Sequence, residues 1–374
     1  MSFGRYILSL LLFSFFAFNS INSSAQCCAG GSGCPIAGGS SQGVLDENQI
    51  ELNTNIQLIN TNNFYTGSKR DTAKYFDSYT SHYEYFRLAY GVSKNLTMSI
   101  ESGYYFQKKE VGLRQNPATT YQSGGVGDLI FFPRYDILNK YNGKTKKEIT
   151  LGLGFKIPLG SYNDSSKNIE PFSGATYYVT KPQSVQLSSG AQDIIFHLFL
   201  FHGWVKQNFK VFANALYIKK GWNPIGEKLG NYGSVSLFAT KSFLDHYGVT
   251  LQMRYEQVAK MQLNHDILLY HYPNYDPEAT GYRKVFITPM VNYSRGKFSF
   301  YAMTDIPVYQ YVIKTQIGSQ HLTTFGVSFR FYAREDVAKK LKGTGKYYCP
   351  MHPKVISDKP GSCPDCKMDL IQAK

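Results

Sequence analysis

The chain has 374 residues, enough for one large domain and a small one. Aromatic residues make up 16% of it, with 30 Tyr and 26 Phe, against 18% charged residues, which excludes an intrinsically disordered chain and suits broad β-strands. The formal net charge is +14, but the basic residues are scattered over loop-like stretches such as Lys144-Thr145-Lys146-Lys147, with a denser run at Lys339, Lys340, Lys342 and Lys346. No concentrated basic stripe is present, so nucleic acid is excluded as a partner, and a solvated face or contact with anionic membrane lipid accounts for the charge.

Residues 1–25 read as a secretory signal peptide: Arg5 gives a basic start, residues 6–18 are an apolar run, and Ser23-Ser24-Ala25 is a small-residue cleavage site. That run is shorter than the roughly 20 residues a membrane-spanning helix needs, and no later segment is long and apolar enough to be one. Residues 26–44 form a Cys/Gly-rich strap carrying Cys27, Cys28 and Cys34. These three thiols are candidate soft-cation ligands, or else two of them pair oxidatively and one is left over. The other three cysteines, Cys349, Cys363 and Cys366, lie at the far end, and a long cysteine-free body separates the groups. A disulfide framework would run through the body, so two terminal clusters point to appended ligand sites.

The body, residues 45–332, is dominated by period-2 alternation. Val249, Leu251, Met253 and Tyr255 alternate with Thr250, Gln252, Arg254 and Glu256. Ile149, Leu151, Leu153, Phe155 and Ile157 alternate with Thr150, Gly152, Gly154 and Lys156, and Phe325, Val327, Phe329 and Phe331 with Gly326, Ser328 and Arg330. Each reads as a strand with one apolar and one polar or small face. The segments are predicted near 49–59, 82–90, 96–106, 124–136, 147–157, 191–204, 208–218, 232–243, 247–257, 282–293, 297–306 and 321–332, about twelve strands, an even number as in bacterial barrels. Short turns such as Tyr141-Asn142-Gly143-Lys144 and Ser294-Arg295-Gly296 alternate with long polar loops at 61–80, 107–123, 158–188, 219–231 and 258–281.

Strands of about nine to eleven tilted residues span a hydrocarbon core, and an unpaired edge cannot sit in lipid, so the sheet has to close. The predicted fold class is therefore all-β, an antiparallel transmembrane β-barrel of about twelve strands. With the apolar face outward, Glu101, Asp128, Arg134, Lys156, Arg254 and Glu256 point to the lumen. Tyr83, Tyr85, Tyr104, Tyr105, Phe106, Tyr217, Tyr293 and Tyr332 fall toward strand ends, as expected of aromatic girdles. The body's histidines show no catalytic or metalloprotease spacing, so no catalytic residue is assigned and an enzyme is not expected.

The stretches Gly125-Val126-Gly127-Asp128-Leu129, Leu151 to Tyr162 and Asp305-Ile306-Pro307-Val308-Tyr309-Gln310-Tyr311 resemble phrases of outer-membrane barrels related to the transporter-like proteins of phenol-degradation operons. The resemblance covers roughly 45–332 and implies a channel for a small solute that it does not name.

After a charged linker, residues 333–346, the tail 347–374 contains Cys349 and His352 as C-x2-H, then Cys363 and Cys366 as C-x2-C. Two such pairs, each closed by a turn, can present four ligands to one tetrahedral ion, a set Zn(II) accepts. Met351 and Met368 add thioethers, which favour Cu(I) or another soft heavy-metal ion. So short a segment buries little, and folding is expected to be coupled to metal binding; a Cys363–Cys366 disulfide is the alternative. The tail resembles the heavy-metal-binding domain of copper and silver efflux adaptors and some copper-transporting ATPases. Tyr347, Cys349, Pro350, Met351, His352 and Pro353 match its first half, and Pro360, Gly361, Cys363, Pro364, Cys366, Met368 and Leu370 its second; Lys367 stands where that family has Gly. Together the two parts imply an outer-membrane channel or transporter-like protein with both termini in the periplasm, a metal-binding module there, and periplasmic metal-efflux components as partners. The alternative is a non-conducting barrel that displays metal-binding tails for sensing.

Overall fold

The structure is a computed structural model, and it describes residues 43–72, 74–113, 119–170, 172–243, 246–264, 276–333, 344–349, 355–365 and 368–372. The strap cysteines and the signal segment lie outside these residues, as does most of the charged linker.

Twelve long strands carry the fold: β1 Gln49–Thr61, β2 Ser78–Gly91, β3 Leu96–Leu113, β4 Leu129–Tyr141, β5 Thr145–Ile157, β6 Asp193–Trp204, β7 Phe209–Lys219, β8 Tyr232–Phe243, β9 Tyr247–Val258, β10 Tyr282–Arg295, β11 Phe298–Ile317 and β12 Leu322–Tyr332. Each pairs antiparallel with its neighbours in sequence, and β1 pairs with β12 from Gln49 opposite Tyr332 to Ile59 opposite Leu322, which closes the barrel. Closure leaves no bare edge, the condition for a sheet in lipid. Among the described residues the one helical element is a 3-10 turn at Pro277–Ala279, and no helix is long and apolar enough to cross a membrane.

The exposure pattern is that of a protein turned inside out. On β1, Glu51, Asn53, Asn55 and Gln57 are buried while Leu52, Ile56 and Leu58 are exposed. On β9, Val249, Leu251, Met253 and Tyr255 are exposed while Thr250 and Gln252 are buried. An apolar outer band over a polar interior is the signature of a lipid-facing barrel. Glu101, Arg134, Lys156 and Glu256 are buried on the inner face, as their alternation required, and Asp128 and Arg254 pair with inner-face partners.

Several boundaries differ from those read in the sequence, for identifiable reasons. The strand expected at 297–306 runs through Pro307 to Ile317; proline lacks the ladder N–H, and the register shifts beside it, between Val285 and Phe286 on the partner strand. The strand expected at 124–136 is two elements. Thr119–Val126 folds back on the outer half of β3, Gly125 has φ +148°, and β4 begins at Leu129. Parts of the long loops are themselves strands, including a hairpin of Ser165–Ile169 and Thr176–Thr180. Tyr83, Tyr85 and Tyr105 are not girdle residues: they are buried inside with Leu187, whereas Tyr104, Phe106 and Tyr217 are exposed on the outside.

The loop between β5 and β6 turns into the barrel. Pro182, Ser184, Val185, Gln186, Leu187 and Ser188 are buried, Lys108 Nζ donates to the Gln186 carbonyl at 2.6 Å, and Ser184 Oγ donates to Glu110. Val185 packs among Ile59, Phe64, Phe76, Tyr79, Tyr121 and Ile317, so this loop fills the long-loop end of the lumen. Ion pairs line the inner wall at different levels: toward the short-turn end Glu51 accepts from both Arg87 and Arg330, toward the long-loop end Lys156 sits 2.8 Å from Asp128 and 3.1 Å from Asp193, and Arg254 sits 2.6 Å from Asp305. Phe132, Ile195 and Leu216 belong to an apolar cluster on the inner wall.

Candidate metal centre

The tail folds into a miniature three-stranded sheet. Tyr347–Tyr348 pairs antiparallel with both Ile356–Ser357 and Ile371–Gln372, and Ser362 bridges Asp369. These short strands place the sulfur residues at turn positions. Cys349 N–H donates to the Val355 carbonyl at 3.1 Å, closing the first turn, and Cys363 N–H donates to the Met368 carbonyl at 2.7 Å, closing the second. Pro364 and Asp365 sit inside that second turn, where a fixed φ and a short polar side chain favour reversal.

The sheet thereby brings together three residues far apart in this segment. Cys349 and Cys363 are 0% exposed, Met368 is 4% exposed, and the three form one cluster flanked by Val355 and Leu370. Met351, His352 and Cys366, the remaining candidate ligands of the tail, lie outside the described residues, as do Cys27, Cys28 and Cys34 of the strap. Two buried cysteine side chains with a thioether beside them form a donor set suited to a soft ion. Residues 346–373 match the family model of the heavy metal binding domain. The heavy metal binding domain is the family that the tail matches.

This domain lies at one end of the barrel. A cavity of about 260 Å³ at the short-turn mouth is lined by Pro364, Asp365 and Met368 of the domain together with Asp46, His246, Lys297 and Arg330 of the barrel side. Tyr332, the last residue of β12, is within electrostatic reach of Cys349. The first described residues enter the same mouth: Leu45 is buried, its N–H donates to Thr97 Oγ1 at 2.7 Å, and Gly43 is so close to the Glu148 carboxylate that a Cβ would overlap it. Sequence reasoning identified the sulfur residues but not Val355 and Leu370 as their cover. Nor did it find the mouth-facing position of Asp365; its place inside the C-x2-C turn is the one hint the sequence offers.

The barrel shares its fold with a solved outer-membrane channel. It resembles the outer membrane channel from Pseudomonas putida F1 at a TM-score of 0.56, with 11% identity, covering 79% of this chain and 99% of that one. It is also similar, at a TM-score of 0.40 and 12% identity, to the translocator domain of the autotransporter NalP from Neisseria meningitidis, over 75% of this chain and 88% of that one. No curated protein is matched by the sequence.

Proposed function

We propose that the chain is an outer-membrane channel or transporter-like protein that handles a soft heavy-metal ion, Cu(I) foremost, on the periplasmic side. The observation that carries this reading is the joining of a closed barrel of channel fold to a heavy metal binding domain at its short-turn end. Short turns and both termini face the periplasm in bacterial barrels, so the domain and the strap would meet metal there once residues 1–25 are removed. Cys349, Cys363 and Met368 would hold the ion with Cys366, His352 and Met351, and Cys27, Cys28 and Cys34 of the strap are additional ligands. With that many donors the ion has no open position for catalysis, which favours binding and hand-over, to periplasmic efflux components, over an enzyme.

A second reading, a non-conducting barrel that only displays the domain, is favoured by one specific feature: the loop around Val185 and Leu187 fills the long-loop end of the lumen. Planar-bilayer recordings on the reconstituted full chain separate the two. Discrete conductance steps support the channel; a silent membrane containing correctly folded protein, judged by heat-modifiable gel migration, supports display.

A further inference from the structure

Met368 packs with Cys349, Cys363, Val355 and Leu370 of its own module, and it also lines the mouth cavity together with residues of the barrel. Pro364 and Asp365 occupy the tip of a turn, where full exposure is the norm, and both are half-buried. Both line the same cavity. The barrel brings charges of both signs to it, Lys146, Lys210, Lys297 and Arg330 with Asp46 and Glu148, and Asp365 adds a carboxylate from the domain. The tether enforces the encounter, because residues 334–343 are all that separate Ala333 from Thr344, a span of at most about 40 Å when fully extended. So short a linker holds the domain near its own mouth at high effective concentration.

From this geometry we infer that the barrel's short-turn mouth is the docking surface of the chain's own heavy metal binding domain, seated with the turn at Pro364 and Asp365 toward the lumen so that it caps the pore. The partner is in cis, and the face that carries Pro364, Asp365 and Met368 is the face turned to the barrel. Solute crossing the mouth therefore has to displace the domain or pass around it. Metal reaching the C-x2-C turn does so at the rim. The capping role rests on the channel reading above; the docking itself does not.

Two measurements on the full chain in lipid vesicles test it. In the first, Lys297 or Asn208, which both line the mouth cavity, is replaced by the photo-crosslinker p-benzoylphenylalanine, and the crosslinked peptides are identified after illumination. Capture of residues 355–372 within the same chain is expected, and Asp365→Arg should reduce the yield several-fold. Failure of both positions to capture the tail, or capture only between two chains, overturns the proposal. In the second, single-channel conductance of the full chain is compared with that of a chain ending at residue 333. The shortened barrel should pass more current or open more often. Equal currents overturn the cap. If both barrels are silent while the intrachain crosslink forms, the channel reading fails and the docking stands.

Discussion

Removal of the Glu51 carboxylate is the most informative single change to the barrel. Glu51 is 0% exposed and accepts from two guanidiniums, Arg87 and Arg330, whose side chains are 4% and 16% exposed. Arg134 lies near enough to contribute to the same field. Glu51→Ala removes the carboxylate that both guanidiniums donate to and leaves Glu101 as the acid near Arg87 and Arg134. Breaking a buried pair by deleting one partner costs about 3–5 kcal/mol. Arg330 is partly exposed and can turn toward water in the mouth, so the lower end applies, about 3 kcal/mol, or roughly a hundredfold in the folding constant. The assay is equilibrium unfolding in urea of barrel folded into vesicles, read by heat-modifiable migration. Adding Arg87→Gln to Glu51→Ala should recover part of the loss, because one stranded charge is then gone. A loss below about 1 kcal/mol would refute the reasoning, since it is the value of an exposed pair and would mean that water surrounds Glu51.

Three further outcomes follow from other parts of the structure. Leu251→Arg places a charge in the middle of the exposed outer band, where Leu251 is 55% exposed, and should destabilise the membrane-inserted barrel by about 2–4 kcal/mol while the same change in detergent costs less; equal effects would argue against a lipid-facing band. Lys108→Met deletes the 2.6 Å hydrogen bond to the Gln186 carbonyl and should raise open probability in bilayer recordings by loosening the inward loop, with unchanged gating counting against that loop as the obstruction. Met351→Leu with Met368→Leu keeps side-chain volume and removes both thioethers, so anaerobic competition titrations should show weaker Cu(I) binding with Zn(II) binding nearly unchanged; equal loss of both metals, or of neither, would make the methionines packing residues.

What the sequence made legible was whatever depends on local alternation. Val249 to Glu256 could be assigned to its two faces because lipid outside and polar lumen inside impose opposite preferences on successive residues, and the observed exposure of Leu251 and burial of Gln252 follow from that. Alternation does not say where a strand stops once it leaves the membrane. Pro307 reads as a terminator, yet a register shift absorbs its missing donor and β11 continues to Ile317. An aromatic near a strand end is not by that fact a girdle residue: Tyr105 shares the parity of Thr97, Ser99 and Glu101 and faces in, while Tyr104 faces out. The inward loop was illegible for a different reason. Pro182, Val185 and Leu187 lie in a Ser-rich stretch that reads as an exposed loop, and their burial depends on Ile59, Phe64 and Tyr83, more than 90 residues earlier.

At the metal-binding end, ligand softness rather than charge separates the candidate ions. The short turns leave Lys94, Lys144, Lys147, Lys206, Lys241 and Lys297 exposed around the rim. The mouth cavity that Met368 lines also carries the carboxylates Asp46, Glu148 and Asp365, so an approaching cation would meet charges of both signs. Exposed charges beyond about 8–10 Å, the Debye length at moderate salt, are screened. A divalent ion would feel each of the nearer charges twice as strongly as a monovalent one, in attraction as in repulsion. The sulfur donors do discriminate. Cys349, Cys363 and Met368 form one cluster, and a thioether is a good ligand for a soft monovalent ion and a weak one for zinc. That difference is the physical basis for placing Cu(I) ahead of Zn(II) in the proposed function.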